Sequence, residues 1–437
     1  MARIKMAYIG GGSTRGAGTM ASFIHQGENF EGSEVVLIDL DPERLDLIRR
    51  LSERMAQARG LDLTITATTD RRSGLSDCDA ILSSYRPGGF AARVLDERIP
   101  LEHGIIGQET QGPGGFFMAL RAIYAMQGIL SDVEDVCPKA RIFNYTNPVN
   151  VLAQAVTSNS HVPFVSLCEG PIYFADQIAR ACGLDRDYLD TVMVGLNHAC
   201  WSVVHEYKGM DAMPLVSEAW ERRKDDPELT GALRRQLRIA AEMDAIPADY
   251  FQYYYCQDEV LAELQAKPTT RAEDILGWSG GYWEHYAEQA ESDDPKLDPK
   301  FSRGGIHELE LAIDAMDAVF NAKDEVLTVN VPNTGGALPG FDETLVVELL
   351  GRCGGPGGWI EPLPAPAPLP AHVRGLVHEL GEYQALAADA AWSGTRLDAI
   401  RALAAHPLML DLDRTERVYD ELAMAHREHL PARLLPV

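Results

Sequence analysis

Two residues that can bind a metal ion, Cys168 and His198, each follow a short apolar run, at 164–167 and 191–196. Both runs are typical of buried strands bounded by turn residues. Because open α/β sheets bind ligands at the carboxyl ends of their strands, we expect the thiol and the imidazole to meet over one crevice. Two protein ligands leave coordination positions open, which suits a catalytic metal, although a cysteine at a strand end is more often simple packing.

A cluster of tyrosines supplies a second reactive group, at Tyr250, Tyr253, Tyr254 and Tyr255. A tyrosine phenolate is a competent base only where a nearby cation lowers the pKa of the phenol from about 10. A bound metal would do this. The alternative interpretation is that these side chains are core or interface aromatics.

A glycine turn near the N-terminus predicts a dinucleotide site. An apolar run at 4–9 ends in glycines, a helix is predicted from about 16 to 26, and a second apolar run at 35–38 ends in an acid. The residues in question are Gly10, Gly11, Gly12, Ser13 and Asp39. Glycines let the backbone approach a pyrophosphate at the helix N-terminus, and Asp39 could accept from a ribose hydroxyl, which favours NAD over its phosphorylated form. A purely structural tight turn is the alternative.

The pattern of strands and helices divides the chain into two predicted domains. Further strands at 63–68, 80–84 and 141–144 extend a Rossmann-like, parallel-sheet domain over residues 1–195. Residues 196–437 are predicted to form an α+β domain whose segments are a helix at 309–320, a strand at 325–331, an extended proline-rich connection at 354–370 and helices from 372 to about 430.

Residues 86–115 are rich in glycine and are predicted to be an irregular loop that lines a site. Arg86, Arg93 and Arg98 are its cations, and on an exposed face they would be solvated charges.

Composition excludes several classes of function. The 437 residues carry a formal net charge of −26, so nucleic acid and anionic membranes are unfavourable partners. No apolar run is as long as a membrane span, and no signal peptide is evident. Seven scattered cysteines argue against a disulfide framework and favour a reducing compartment, so a cytoplasmic protein is expected.

Several stretches closely match a known family. They are 8–13, 70–72, 96–101, 106–115, 144–148 and 195–198. With them the chain resembles glycoside hydrolase family 4, the NAD- and divalent-metal-dependent glycosidases with a lactate/malate-dehydrogenase-like fold. Within the family it is most similar to the 6-phospho-β-glucosidase branch.

The resemblance implies roles for particular residues. Cys168 and His198 would hold Mn²⁺, Asn147 would contact substrate hydroxyls, and Tyr250 would be the catalytic base, with Tyr253, Tyr254 and Tyr255 as alternates. Arg93 and Arg303 would be the partners of a substrate phosphate; both could instead be ordinary surface or ion-pair arginines. The implied reaction comprises NAD-dependent oxidation at C3, deprotonation at C2, elimination of the aglycone, addition of water and re-reduction. The family is an exception to the two-carboxylate scheme of most glycosidases.

The residue after the metal cysteine departs from the family pattern. Asparagine, aspartate or histidine is usual there, and this chain has Glu169. Its carboxyl group could be a general acid on the leaving oxygen, or it could hydrogen-bond a neutral sugar hydroxyl. It would also repel a nearby phosphate, so an unphosphorylated or α-linked glycoside is an alternative substrate.

Two other functions share the predicted fold. An NAD-dependent dehydrogenase of hydroxy acids or sugars would accumulate NADH, whereas a catalytically silent sensor would bind NAD and sugar without exchanging the C2 proton. By resemblance to the family we also expect a homodimer or homotetramer.

Overall fold

One mixed sheet lies at the centre of the computed structural model, which describes residues 1–303, 310–409 and 411–436. The strands of the described residues are, in chain order, β1 Lys5–Ile9, β2 Glu34–Ile38, β3 Thr64–Thr68, β4 Ala80–Ser83, β5 Arg141–Asn144, β6 Phe164–Ser166, β7 Leu189–Leu196, β8 Ala199–Tyr207, β9 Met210–Asp211, β10 Glu325–Pro332, β11 Val346–Cys353 and β12 Ile360–Pro362.

Helices cover both faces of this sheet. They are α1 Gly16–His25, α2 Pro42–Ala58, α3 Arg71–Leu75, α4 Gly89–Glu102, α5 Gly112–Val136, α6 Val149–Asn159, α7 Gly170–Cys182, α8 Met213–Arg223, α9 Gly231–Met243, α10 Gln252–Tyr255, α11 Gln257–Ala266, α12 Arg271–Ala290, α13 Leu311–Asn321, α14 Ala371–Trp392, α15 Arg396–Ala404 and α16 Leu412–Ala425. Side chains alternate between two cores along each central strand: Met6 and Tyr8 of β1 face one, and Ala7 and Ile9 face the other.

The N-terminal strands form the predicted Rossmann-like sheet. Their order is β3-β2-β1-β4-β5-β6, and every adjacent pair is parallel. This is the 3-2-1-4-5-6 order of dinucleotide-binding folds, so the predicted α/β class is confirmed. Beyond β6 the sheet continues antiparallel through β10, β11, β7, β8 and β9.

Local sequence accounts for the first crossover. Asp41 accepts hydrogen bonds from the backbone of Glu43 and Arg44, and Pro42 occupies the first turn of α2. An acceptor at the N-cap and a proline just inside the helix are both favourable there. The helix then buries its apolar stripe, which includes Leu45.

Three predicted segments differ from the structure. The prediction of an irregular loop over 86–115 is wrong at its centre, because α4 runs from Gly89 to Glu102. The segments predicted for residues 196–437 omit a strand, because β8 follows His198 at once and pairs with β7. The proline-rich connection at 354–370 contains the short strand β12, which pairs with β11. The predicted helix at 309–320 is observed as α13, and residue 309 lies outside the described residues.

Helix α5, which includes Arg121, is long and apolar enough to cross a membrane by length and composition alone. In this structure 67% of its most apolar window is buried. It packs against α14, α4 and α6, as the core helix of a globular domain does.

Candidate active site

Cys168 and His198 come together at one edge of the sheet. Cys168 follows β6, and His198 lies in the two-residue turn between β7 and β8. The Cys168 Sγ atom is 3.7 Å from His198 Nε2. One ion bonded to both atoms at about 2.0–2.3 Å can span this separation. His198 therefore reaches Cys168 from an antiparallel hairpin, whereas we had expected the end of a parallel strand.

The His198 ring is held with Nε2 available to a metal. Gln108 Oε1 accepts from the backbone N–H groups of Thr110 and Gln111, at 2.5 and 2.8 Å, so this atom is the amide oxygen. The Thr110 hydroxyl donates its one hydrogen to that oxygen, at 2.9 Å. Thr110 Oγ1 is 3.0 Å from His198 Nδ1 and must accept from it. The proton of the neutral ring is therefore on Nδ1, and the lone pair of Nε2 faces Cys168.

Burial sets the charge of both candidate ligands before a metal binds. It lowers the pKa of His198 to about 4, an effect that Glu109 partly opposes. It raises the pKa of the Cys168 thiol to about 12, and Glu348 raises it further. The imidazole is thus neutral, as a metal ligand must be, whereas the thiol must release its proton when a cation binds. Among the described residues no group of three or more His, Cys, Asp and Glu side chains could hold a metal, so the protein offers this pair.

Tyr250 packs directly on the metal-ligand candidate. Its ring stacks on His198 with centroids 3.8 Å apart and an interplanar angle of 6°. The preceding segment is fixed to β8, because Ala248 donates to the carbonyl of Cys200 and Ser202 to that of Ile246. Burial, and to a lesser extent Asp249, raises the pKa of Tyr250 well above its ordinary value. A cation beside His198 would therefore be needed to favour the phenolate.

The other tyrosines of the cluster face different surroundings. Tyr253 lines a cavity of about 250 Å³ together with Arg93 and Gln108. The Tyr254 hydroxyl donates to Gln111 Oε1. Tyr255 is 36% exposed and contacts neither candidate ligand among the contacts described. The geometry favours Tyr250 over these alternates.

His406 supports the same region from the C-terminal helices, and it provides a test of the fold in acid. Its Nε2 accepts from the backbone N–H of Gly112, and burial lowers the pKa of His406 to about 3. Below about pH 6.5 the His406 ring therefore binds a proton in the unfolded chain but stays neutral in the folded protein. The stability contributed by this group is complete above pH 6.5, and acidification removes up to about 1.4 kcal/mol per pH unit down to about pH 3.

We expect His406→Gln, which keeps an acceptor for Gly112, to reduce the dependence of the free energy of unfolding on pH between about 6 and 4. Urea unfolding at a series of pH values measures this slope. The exposed His161→Gln is the control and should leave the slope unchanged, because its ring faces solvent in both states. An unaltered slope in His406→Gln would contradict the assignment.

Three arginines gather around one phenyl ring beside the site. Their guanidinium carbons lie over Phe90, at 5.3 Å for Arg86, 6.0 Å for Arg93 and 5.1 Å for Arg303. Glu109 bridges the first two, 2.7 Å from Arg86 and 2.8 Å from Arg93. Arg303 forms no salt bridge with a carboxylate among the described residues. Burial and repulsion by Arg86 lower the pKa of Arg303 to about 10. Such a surplus of positive charge is suited to binding an anion.

Arg93 and Arg98 of the predicted loop lie in different surroundings. Arg93 is buried, contacts Glu97 at 2.7 Å as well as Glu109, and therefore is not a solvated charge. Arg98 pairs with Glu273 on α12 and lies on the surface side of α4.

Glu169 is paired with a cation from the glycine turn. Arg15 Nη2 lies 3.3 Å from Glu169 and 2.9 Å from Glu310, and its guanidinium stacks over the Tyr145 ring at 4.5 Å. Burial raises the pKa of Glu169, Arg15 opposes the rise, and Glu310 adds to it. Arg15 thus links the predicted nucleotide turn to the loop that carries Cys168, and its one positive charge is shared between Glu169 and Glu310.

The glycine turn has the shape of a pyrophosphate cradle. Gly10 has φ of 93°, and a Cβ there would lie 2.1 Å from the Ser84 carbonyl oxygen. Asp39 accepts from the backbone N–H of Gly12 at 2.9 Å, and a Cβ on Gly12 would press against it. The buried Ser13 Oγ has no hydrogen-bond partner among the described residues. A tight backbone with an unused hydroxyl at the start of α1 fits a bound dinucleotide.

Asn147 lies in the turn after β5 and is joined to Pro148 by a cis peptide bond. Strand β5 neighbours β6, so this turn opens at the same edge of the sheet as Cys168.

Sequence reasoning missed Gln108, Thr110 and Arg15 as functional candidates. The first two lie inside a stretch that matched the family, and that match was the available signal. Arg15 contacts residues 154 and 295 positions away, which spacing along the chain does not reveal.

Comparison with known proteins covers nearly the whole chain. The sequence model of family 4 glycosyl hydrolases matches residues 5–184, and that of the family's C-terminal domain matches 193–409. A probable 6-phospho-beta-glucosidase of Bacillus subtilis (strain 168) is 32% identical over 98% of this chain and 97% of its own length. A 6-phospho-alpha-glucosidase of Lacticaseibacillus paracasei is 27% identical, and the alignment covers 98% of each chain.

Solved structures agree on the fold. The 6-phospho-beta glucosidase of Thermotoga maritima, crystallised with manganese, NAD⁺ and glucose-6-phosphate, has a TM-score of 0.82, 23% identity and coverage of 98% of this chain and 99% of its own. Malate dehydrogenase of Picrophilus torridus has a TM-score of 0.54 and 13% identity, over 90% and 99% of the two chains.

Proposed function

The chain belongs to glycosyl hydrolase family 4, and we propose that it hydrolyses 6-phospho-β-glucosides with the help of bound NAD and Mn²⁺. The observation that carries the choice of a phosphorylated substrate is the arginine group around Phe90. Glu109, which bridges Arg86 and Arg93, is the neighbour in sequence of Thr110, which contacts His198. An anion held by these arginines would therefore lie close enough to the metal-ligand candidates for one sugar phosphate to contact both sites.

Two features support the proposed cofactors. The glycine turn and its unpartnered Ser13 hydroxyl would hold NAD, and Cys168 with the unprotonated Nε2 of His198 would hold Mn²⁺. When bound, they would supply reversible hydride transfer at C3 and polarisation of the oxygen on that carbon.

The protein's own groups would then do the remaining work. Tyr250, stacked on His198, would remove the proton from C2. Glu169, adjacent to Cys168, would protonate the leaving oxygen while Arg15 holds its carboxyl group in place. Asn147 would hydrogen-bond sugar hydroxyls from the turn after β5. The branch named by the Bacillus subtilis relative supports the β-linkage.

Hydrolysis of paired p-nitrophenyl glucosides tests the proposal, with and without a 6-phosphate and in both anomers, in NAD⁺, Mn²⁺ and a reductant. We expect selective cleavage of the phosphorylated β-anomer without net NADH formation. Cleavage of only the free sugar would mean that Glu169 marks a changed pocket, and cleavage of the α-anomer would reassign the linkage. Stoichiometric NADH without cleavage would identify a dehydrogenase instead.

Arg303→Met is expected to separate phosphate recognition from catalysis. It removes the guanidinium that has no carboxylate partner among the described residues, while it keeps an apolar chain over Phe90. A hydrogen bond to a charged group contributes about 1.5–3 kcal/mol, so kcat/KM for the phosphorylated substrate should fall by ~10- to 100-fold. Steady-state kinetics measure this, and cleavage of an unphosphorylated glucoside, where detectable, should not fall.

Arg98→Met is the matched control, since Arg98 pairs with Glu273 outside the Phe90 group. It should leave both substrates nearly unaffected. An equal loss in Arg303→Met on phosphorylated and free substrates would contradict a role in phosphate binding.

A further inference from the structure

A row of buried polar side chains crosses the sheet and ends behind the candidate metal ligands. The members are successive register partners on adjacent strands: Ser83 on β4, Asn144 on β5, Ser166 on β6, Asn330 on β10 and Glu348 on β11. Each is at most 1% exposed. Polar groups in such a row cost free energy to bury, and apolar side chains would pack there more cheaply. We therefore expect these polar residues to have a role other than stabilising the fold.

Hydrogen bonds connect the members of the row in two groups. Ser83 donates to Asn144 at 2.7 Å, and Asn144 donates to Ser166 at 2.9 Å. Asn330 Nδ2 then donates to Glu348 Oε2 at 3.0 Å. The last strand pair of the row sets Glu348 opposite Gly195, two residues before Asn197, where the turn that carries His198 begins.

At the end of the row, Glu348 contacts Asn197, which directly precedes the candidate ligand His198. Asn197 Nδ2 donates to Glu348 Oε2 at 2.8 Å, and the Asn197 side chain lowers the pKa of the Cys168 thiol. Asn197 is the neighbour of His198 in the chain. Asn197 therefore joins Glu348 to His198 through the backbone and lies near enough to Cys168 to act on its thiol.

Glu348 determines which way the Asn197 amide points. The Asn197 Oδ1 atom is buried and has no hydrogen-bond partner among the described residues, and the same holds for Asn330 Oδ1. The amide oxygen thus fixes neither orientation. The acceptor on Glu348 does, because it binds an N–H of the Asn197 amide.

We propose that Glu348 is a positioning residue for the metal site, acting through Asn197 on Cys168 and His198. Groups that orient metal ligands in this way typically change metal affinity by about 10- to 100-fold when they are removed. The inference rests on the proposed function only in taking Cys168 and His198 as metal ligands. It assigns Glu348 no contact with substrate, cofactor or metal.

Two substitutions at Glu348 separate its acceptor from its charge. Glu348→Gln offers an amide oxygen where Oε2 now accepts both amide N–H groups, whereas Glu348→Leu has similar volume and no acceptor. We expect Glu348→Leu to weaken Mn²⁺ binding by ~10- to 100-fold and Glu348→Gln to stay within about threefold of the wild type. Electron paramagnetic resonance of free Mn²⁺ gives the Kd without any turnover.

A spectroscopic readout distinguishes positioning from general damage. With Co²⁺ in place of Mn²⁺, the thiolate-to-cobalt charge-transfer band of Cys168 should weaken or shift in Glu348→Leu and be retained in Glu348→Gln. Gln384→Leu is the control: it removes a fully buried amide that bonds Gln154 and the Val346 carbonyl. It should lower the thermal midpoint in EDTA and leave both metal readouts unchanged.

Asn197→Ala keeps the proposal testable if Glu348→Leu does not fold. This variant should lose the same metal affinity, because it removes the amide through which Glu348 acts. Wild-type affinity and an unchanged cobalt band in either Glu348→Leu or Asn197→Ala would overturn the inference. Failure of the wild-type protein to bind Mn²⁺ or Co²⁺ would instead overturn the proposed function.

Discussion

Cys168→Ser is expected to abolish tight Mn²⁺ binding and to reduce glycosidase turnover by ~10³-fold or more. Polarisation by a metal supplies several kcal/mol of transition-state stabilisation, and each 1.4 kcal/mol is a factor of ten in rate. Serine is nearly isosteric, but its hydroxyl is a far weaker acid than the thiol and would stay protonated instead of supplying an anionic ligand. The 3.7 Å pair of Cys168 and His198 would be left with one competent ligand.

Mn²⁺ titration followed by electron paramagnetic resonance, and hydrolysis of the phosphorylated substrate, measure the two effects. Cys182→Ser is the control, because Cys182 is a buried thiol at the far end of α7 from Cys168. It should retain Mn²⁺ affinity and activity despite some loss of stability. NAD binding should survive in both variants, because the glycine turn is untouched. Wild-type Mn²⁺ affinity in Cys168→Ser would show that the metal is bound elsewhere.

The first half of the fold could be predicted because its strands are short, continuously apolar and separated by turn residues. The glycines after β1 and the acid after β2 specified a parallel βαβ unit, and the family resemblance is confirmed by the sequence models that match. Strand β8 was missed because it follows β7 after two residues, Asn197 and His198, without a glycine. Helix α4 was missed because glycines at both of its ends suggested a loop.

Without the family resemblance, the candidate metal site was predictable where a reactive residue ended a strand. Cys168 and His198 met that condition, and the structure brings them together. The roles of Arg15 and Glu348 could not be predicted in this way, because their partners lie about 150 residues away in the sequence. A signal for Glu348 existed all the same: an acid within the apolar run of β11 is costly to bury unless it has a partner.

Tyr250→Phe is expected to lower kcat by ~10²- to 10⁴-fold, the usual contribution of a positioned general base. Phenylalanine keeps the ring that stacks on His198 at 3.8 Å, so Mn²⁺ affinity and KM should change little. Exchange of the C2 proton with deuterated solvent, followed by mass spectrometry, should be lost together with turnover.

Tyr255→Phe, on the exposed side of the cluster, is the control and should exchange normally. Because burial and Asp249 raise the pKa of Tyr250, exchange should also require Mn²⁺. Loss of exchange in Tyr253→Phe with retention in Tyr250→Phe would move the base by one helical turn and leave the rest of the site as described.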